Sequence, residues 1–343
     1  MDEKEQQIED DVRTKILKRL KEHKITNEYI SGELISSELN ISRAAVWKHI
    51  DVLKTMGYQI DSVTNKGYKL LRSPDIIFPF ELKSEPTTQI IGKEIFYYST
   101  LSSTNKVARN KAEEDAPDGS IIIAETQGSG RGRRGRSWES PPGGLWFTII
   151  LKPKLAPMYA PIITLLTGIA CANAINNNTR LETTLKWPND VRIKGKKVCG
   201  VLTELSTGPD LVNYILVGLG INVNNKFSDF PFELQTKATT LKHELNRQVN
   251  RKELLKEFLS EFEMLYLPFT EEPQKQNHKI INMWCKISDT IGKDVVIETV
   301  SGSMSGVAVD ISKNGSLVLE NKWGKREEII AGDCIYIETG TKK

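Results

Sequence analysis

Between two apolar runs of strand length, SIIIAETQ (120–127) and LWFTIILKP (145–153), the chain carries GSGRGRRGRSW (128–138). Both flanks read as buried strands, so the joining segment is anchored at each end inside an α/β unit and is not a free tail. Four arginines (Arg131, Arg133, Arg134, Arg136) sit among four glycines (Gly128, Gly130, Gly132, Gly135). Glycine permits positive φ and close approach of backbone to a ligand. Successive amides in such a turn make a concavity for an anion. Arginine adds planar, bidentate donors that match a carboxylate or a phosphate, and Trp138 follows as an aromatic wall. The spacing is not GxxxxGK[ST], which excludes a P-loop. Composition alone leaves two uses: a basic strip on nucleic acid, or a folded loop around one small anionic ligand.

Net charge weighs on that choice. The 343 residues sum to +3, so the chain is no electrostatic coat and any nucleic-acid contact must be local. The length suggests two or three domains. The N-terminus, MDEKEQQIEDD, is acidic and lacks an apolar core, which argues against a secretory signal and for a cytoplasmic location. Cys171, Cys199, Cys285 and Cys334 are far apart with no CxxC pair, so reduced thiols are expected and no metal site.

Residues 1–72 read as a winged helix-turn-helix. Ile8, Val12, Ile16 and Leu20 recur at four-residue steps on one helix face. A second helix fits Gly32–Leu39 with Ser31 as N-cap. Ser42 caps a third, in which Val46, Ile50 and Leu53 face inward. YQIDSVTNKGYKLL then gives two short strands around Asn65-Lys66-Gly67. The outer face of the third helix carries Arg43, Ala44, Trp47 and Lys48. With Ser42 at its start and Lys66 in the wing, these are the expected DNA-contacting residues, and Lys69 is within reach of a neighbouring phosphate. From 36 to 72 six basic residues oppose three acidic ones. One recognition helix reads few base pairs, so a dimer is expected on DNA.

Residues 73–89, with three prolines, read as a linker with one turn of structure. Residues 90–282 mix strands and helices. Within them Pro157–Asn177 is apolar on most sides, but Gly168, Asn173 and threonines interrupt it, which favours a core helix over a membrane span. In 283–343 five short strands separated by Gly-bearing turns suggest a small SH3-like β-barrel. The fold class is therefore α+β.

Three further stretches decide the use of the arginine loop: LSSTN (101–105), LKWPND (185–190) and KGKKVCGVLTEL (194–205). Each alone is weak. In this order, with GRGRRGRSW and VGLGINVN, they resemble the catalytic domain of the biotin protein ligases. The N-terminal segment resembles that of the bifunctional class, in which the ligase also represses biotin synthesis and uptake genes. The resemblance implies a class II synthetase-like central domain. It places Ser103, Thr104, Asn105, Gln127, Arg131, Gly132, Arg133 and Lys197 around biotin. Arg134, Trp138, Lys186, Asn189 and Asn222 fall on the nucleotide side. Arg131, Arg133, Lys186 and Lys197 are the expected catalytic cations. ATP, Mg²⁺ and biotin are then substrates, with no tightly bound prosthetic group. Implied partners are the carrier domains of acetyl-CoA carboxylase and pyruvate carboxylase, operator DNA, and a second copy on ligand binding, with no membrane. The alternatives are a lipoate ligase, a ligase with a non-regulatory N-terminal domain, and a ligand-sensing transcription factor without catalysis.

Overall fold

The computed structural model describes residues 3–83 and 87–337. The chain divides into two compact units, Met1–Pro86 and Thr87–Lys343. The first opens with α1 (Glu3–Thr26), α2 (Gly32–Leu39) and α3 (Arg43–Thr55). Ser31 and Ser42 cap α2 and α3, accepting from Leu34 N–H and Ala45 N–H. Asn40 ends α2 in the left-handed region, φ 51°, the role a short polar side chain tolerates best. Strands β1 (Gln59–Val63) and β2 (Gly67–Arg72) pair antiparallel to form the wing. Gly67 has φ 107°, and a Cβ there would overlap the Ile30 carbonyl. Ile16, Leu20, Val46, Ile50 and Leu53 are buried together as their spacing predicts, and Leu17 joins them. Ile8, the first position of the predicted stripe, lies outside the residues whose side chains are described.

The segment expected to be a linker packs instead. Its short helix α4 (Pro79–Lys83) places Phe80 in the core of the first unit. The Phe78 and Phe80 rings stack at 5.3 Å, and Phe78 lies over Tyr58 at 6.3 Å. Ile77 and Leu82 are buried too. The prolines hid this short apolar set, which is too brief to show a period. Residues 84–86 of the expected linker lie outside the described ones.

The second unit is built on a seven-stranded sheet. In chain order its elements are β3 (Ile95–Leu101), α5 (Thr104–Glu113), β4 (Ile121–Gln127), β5 (Leu145–Leu151), α6 (Ala160–Thr179), β6 (Thr184–Lys186), β7 (Asp190–Ile193), β8 (Lys196–Thr207) and β9 (Val212–Ile221). The strand order is β3-β4-β5-β9-β8-β7-β6, with β3 and β4 parallel and the rest antiparallel. Alternate residues of β8 serve opposite faces. Glu204 bonds to Asn105 and Arg109 of α5, whereas the Thr203 hydroxyl pairs with Thr164 of α6 at 2.8 Å. Pro157–Thr179 is the one helical stretch among the described residues long and apolar enough to cross a membrane, and 72% of its apolar window is buried inside the unit.

Short helices α7 (Phe232–Gln235) and α8 (Leu241–Leu245) lead to α9 (Arg251–Glu271) and α10 (Pro273–Lys286). The boundary expected at 282 falls inside α10, whose Ile280, Ile281 and Trp284 are buried. After it come β10 (Asp294–Glu298), β11 (Ser303–Ile311), β12 (Leu317–Glu320), β13 (Arg326–Ile329) and β14 (Asp333–Tyr336). They form one antiparallel sheet in the order β13-β12-β11-β10-β14. The KWPND segment docks on it: the Trp187 N–H donates to the Thr290 hydroxyl at 3.0 Å and its indole to the Gly315 carbonyl at 3.2 Å.

Candidate functional site

Ser103, Thr104 and Asn105 start α5 where β3 ends, and all three are buried. Ser103 occupies the N-cap position, yet its side chain does not cap the helix. Gln127, at the end of β4, accepts the Thr104 N–H at 2.8 Å and donates to the Ser140 hydroxyl at 2.8 Å. The Thr148 hydroxyl donates to Asn105 Oδ1 at 2.6 Å, while Asn105 Nδ2 donates to Glu204 at 2.7 Å. Both ends of the Asn105 amide are thereby fixed. Gly218 lies beneath it, and a Cβ there would overlap the amide.

Two more glycines finish this floor. Gly200 of β8 and Gly220 of β9 are register partners. The Trp138 indole rests on both: a Cβ at Gly220 would overlap its ring, and one at Gly200 would press on Trp138 and Lys197. Trp138 Nε1 is buried without a hydrogen-bond partner. Asn222, also buried, donates to the Thr239 carbonyl at 3.1 Å, but its Oδ1 has no partner. A lone buried donor and a lone buried acceptor are costly unless a ligand satisfies them.

The arginine loop folds back on itself through Gly132 N–H to Arg136 O at 2.7 Å and Trp138 N–H to Gly130 O at 2.9 Å. Its single 3₁₀ turn, Arg133–Gly135, contains Arg134 at φ 56°. Arg133 is half-buried and reaches Asn189 Oδ1 at 3.3 Å and the Gly332 carbonyl at 3.1 Å. Burial pulls its guanidinium below the ordinary arginine value. Arg134, expected beside the nucleotide, donates here to the Glu298 carbonyl at 3.0 Å and to Asp333 at 2.8 Å. Arg136 also pairs with Asp333. Arg131 is exposed and makes no side-chain hydrogen bond or ion pair among the described residues.

Lys197 stands at the rim. Its Nζ is 2.6 Å from Asp190 and 5.0 Å from the Trp138 ring centre. Lys186 Nζ lies 4.6 Å over the ring of Tyr336 from the C-terminal sheet, and burial lowers its ammonium from the ordinary lysine value. The Tyr336 hydroxyl donates to Asp289 at 2.5 Å, which holds the ring in place. Asn189 donates to the Val201 carbonyl at 2.6 Å, with its oxygen toward Arg133. The fold thus gathers Thr104, Asn105, Gln127, Trp138, Lys197 and the arginine loop along one sheet end. It sets Arg134 and Lys186 against the C-terminal sheet.

In the first unit Ser42, Arg43, Ala44, Trp47 and Lys48 are exposed on one face of α3, and Lys66 is exposed at the wing tip. Trp47 is 61% exposed, a large apolar side chain on an open surface. Lys69 is directed differently: its Nζ lies 5.4 Å over the Tyr29 ring.

Sequence reasoning missed several participants. Asp190 was inside a quoted motif, and the need for a counter-charge to Lys197 was a usable signal. Thr148 and Glu204 were visible only as strand residues. Asp333 and Tyr336 carried no signal, because their partners lie far away along the chain.

Comparison with known proteins fits this geometry. Residues 97–222 match the family described as biotin/lipoate A/B protein ligases, 12–69 an HTH domain, and 290–336 the biotin protein ligase C terminal domain. The chain is 36% identical over 299 residues to the bifunctional ligase/repressor BirA of Bacillus subtilis, covering 87% of this chain and 91% of the relative. Identity to the protein of the same name from Escherichia coli is 29% over 296 residues, 85% and 88% of the two chains. Among solved structures, the biotin protein ligase from Aquifex aeolicus in complex with biotin and ATP superposes with a TM-score of 0.61 at 30% identity. That match covers 71% of this chain and 99% of the other.

Proposed function

The chain belongs to the family of bifunctional biotin protein ligases and repressors, and from that premise we propose that it joins biotin to ATP and then to a carrier-protein lysine. The observation that carries this reading is the glycine floor of Gly200, Gly218 and Gly220, which seats the Trp138 indole and the Asn105 amide, with Asn222 Oδ1 and Trp138 Nε1 left without partners. Fixed polar atoms beside an aromatic ring suit an acid with a polar head group and a purine.

In the first step a biotin carboxylate oxygen attacks the α-phosphorus, the bond to the β-phosphate bridge breaks, and pyrophosphate leaves biotinyl-5′-AMP. Two anions meet, so cations must offset their repulsion. Arg131, Arg133, Lys186 and Lys197 supply that charge without forming covalent bonds. Ser103, Thr104, Asn105 and Gln127 orient biotin, Gly132 lets the loop approach, and Trp138, Asn189 and Asn222 serve the nucleotide, while Arg134 braces the loop on Asp333 and the Glu298 carbonyl. In the second step a carrier lysine amine attacks the acyl carbon, loses its proton and expels AMP. The loop shields the mixed anhydride from water between the steps. Mg²⁺ enters as part of the ATP substrate.

The winged helix serves repression through Ser42, Arg43, Ala44, Trp47, Lys48 and Lys66 on operator DNA. Biotinyl-5′-AMP favours a homodimer, which presents two recognition helices to a two-fold site. The carriers are the biotin domains of acetyl-CoA carboxylase and pyruvate carboxylase, and the setting is cytoplasmic.

The test is ATP–pyrophosphate exchange with biotin, with lipoate and with neither. Exchange with biotin alone is the expected result. Exchange with lipoate would move the substrate to the other branch of the family. No exchange with either acid would leave a binding-only regulator.

A further inference from the structure

We infer that Asp333, on the C-terminal sheet, is a positioning residue for the ligase reaction: its carboxylate clamps the arginine loop over the glycine floor. This rests on the ligase reading above. The loop is poorly suited to hold one shape unaided. It has four glycines between 128 and 135, which raise the entropy lost on ordering, and four like charges between 131 and 136. Its order comes from outside. Asp333 Oδ2 takes Arg134 at 2.8 Å and also Arg136, and Oδ1 takes Arg136 at 3.3 Å. Glu298, the register partner of Asp333 on β10, adds its carbonyl to Arg134 at 3.0 Å. Gly332, the preceding residue, adds its carbonyl to Arg133 at 3.1 Å. Three of the four loop arginines are therefore fixed on two adjoining strand ends.

An isolated surface ion pair would contribute little. This one differs in two respects. The Asp333 side chain is only 13% exposed, and it serves two guanidiniums joined to a wider set of carbonyl acceptors. The clamped arginines flank Arg131 and the stretch leading to Trp138. Fixing them holds the loop in its folded-back shape and keeps the indole on its floor. The clamp acts through the loop and touches no reacting atom, so it governs retention of ligands more than the rate at saturation.

The experiment uses the full chain, its Asp333→Asn and Asp333→Glu variants, and Arg136→Gln, which weakens the clamp without altering β14. Without ligands, limited trypsin digestion follows cleavage between residues 131 and 136. With biotin and Mg-ATP, exchange gives KM for ATP and kcat, and a chase gives release of biotinyl-5′-AMP. Asp333→Asn is expected to speed loop cleavage, raise KM for ATP about tenfold and hasten adenylate release, with kcat within about twofold of the parent. Asp333→Glu is expected to recover most of the loss. Arg136→Gln is expected to act in the same direction and to be non-additive with Asp333→Asn. Unchanged cleavage and KM in Asp333→Asn would overturn the clamp. So would a lower KM, which would make the carboxylate a competitor of the phosphates. If the unaltered chain catalyses no exchange, the ligase reading fails and the positioning role with it. Unresponsive variants of an active chain overturn the positioning role alone.

Discussion

At Gly220 the missing side chain admits the Trp138 indole, so the floor depends on an absence. Gly220→Ala would set a methyl group against the ring. The strand is fixed on both sides by β5 and β8, so the indole is the part that yields. Biotin-dependent exchange is expected to fall at least about tenfold, while overpacking costs only about 1–3 kcal/mol of stability. Kinetics beside a thermal melt check this, and unchanged exchange would mean that Trp138 has no need of its seat. The glycines of VCGV and VGLG were readable as letters, but what each one admits was not. Asn105 shows the same limit. The family resemblance placed it around biotin, yet only the fold reveals that Thr148 and Glu204 already hold its amide.

The elements that position the site are joined by groups invisible to periodicity. Glu263 of α9, largely buried, accepts the backbone N–H groups of Gln89, Ile90 and Ile91 at 2.5, 2.7 and 2.9 Å, fixing the chain just before β3. Glu263→Gln removes the charge and leaves one oxygen for three donors. A loss of about 2 kcal/mol is expected, read as a lower urea midpoint for the second unit with DNA binding unaffected. An unchanged midpoint would show that the strap holds without the carboxylate. Caps, an apolar stripe and short apolar runs did locate α2, α3 and the strands flanking the arginine loop, because each signal lies within about ten residues. It failed for residues 74–83, where Ile77, Phe78, Phe80 and Leu82 are too few and too near proline to show a period.

Over the whole molecule, the break between Pro86 and Thr87 separates a DNA-binding unit from a unit holding the entire candidate ligase site. The Aquifex aeolicus enzyme is matched along 99% of its length by 71% of this chain, so a ligase of that kind exists without the remainder. A chain beginning at Thr87 is expected to keep biotin-dependent exchange within about threefold and to lose operator binding. Exchange assays with mobility shifts check both, and loss of exchange would mean that the first unit supports the site. The sequence by itself determined the kinds of parts: a capped three-helix unit with a wing, a cationic glycine loop between buried strands, and a C-terminal β domain of five short strands. Those follow from spacing, caps and turn residues, which act between neighbours in the chain. Only the tertiary structure decided which partner each cation meets. Arg136 and Asp333 are 197 positions apart, and Lys186 reaches its aromatic platform on Tyr336 only because the KWPND segment docks on the C-terminal sheet. Electrostatic pairing depends on distance in space, and sequence separation does not encode that distance.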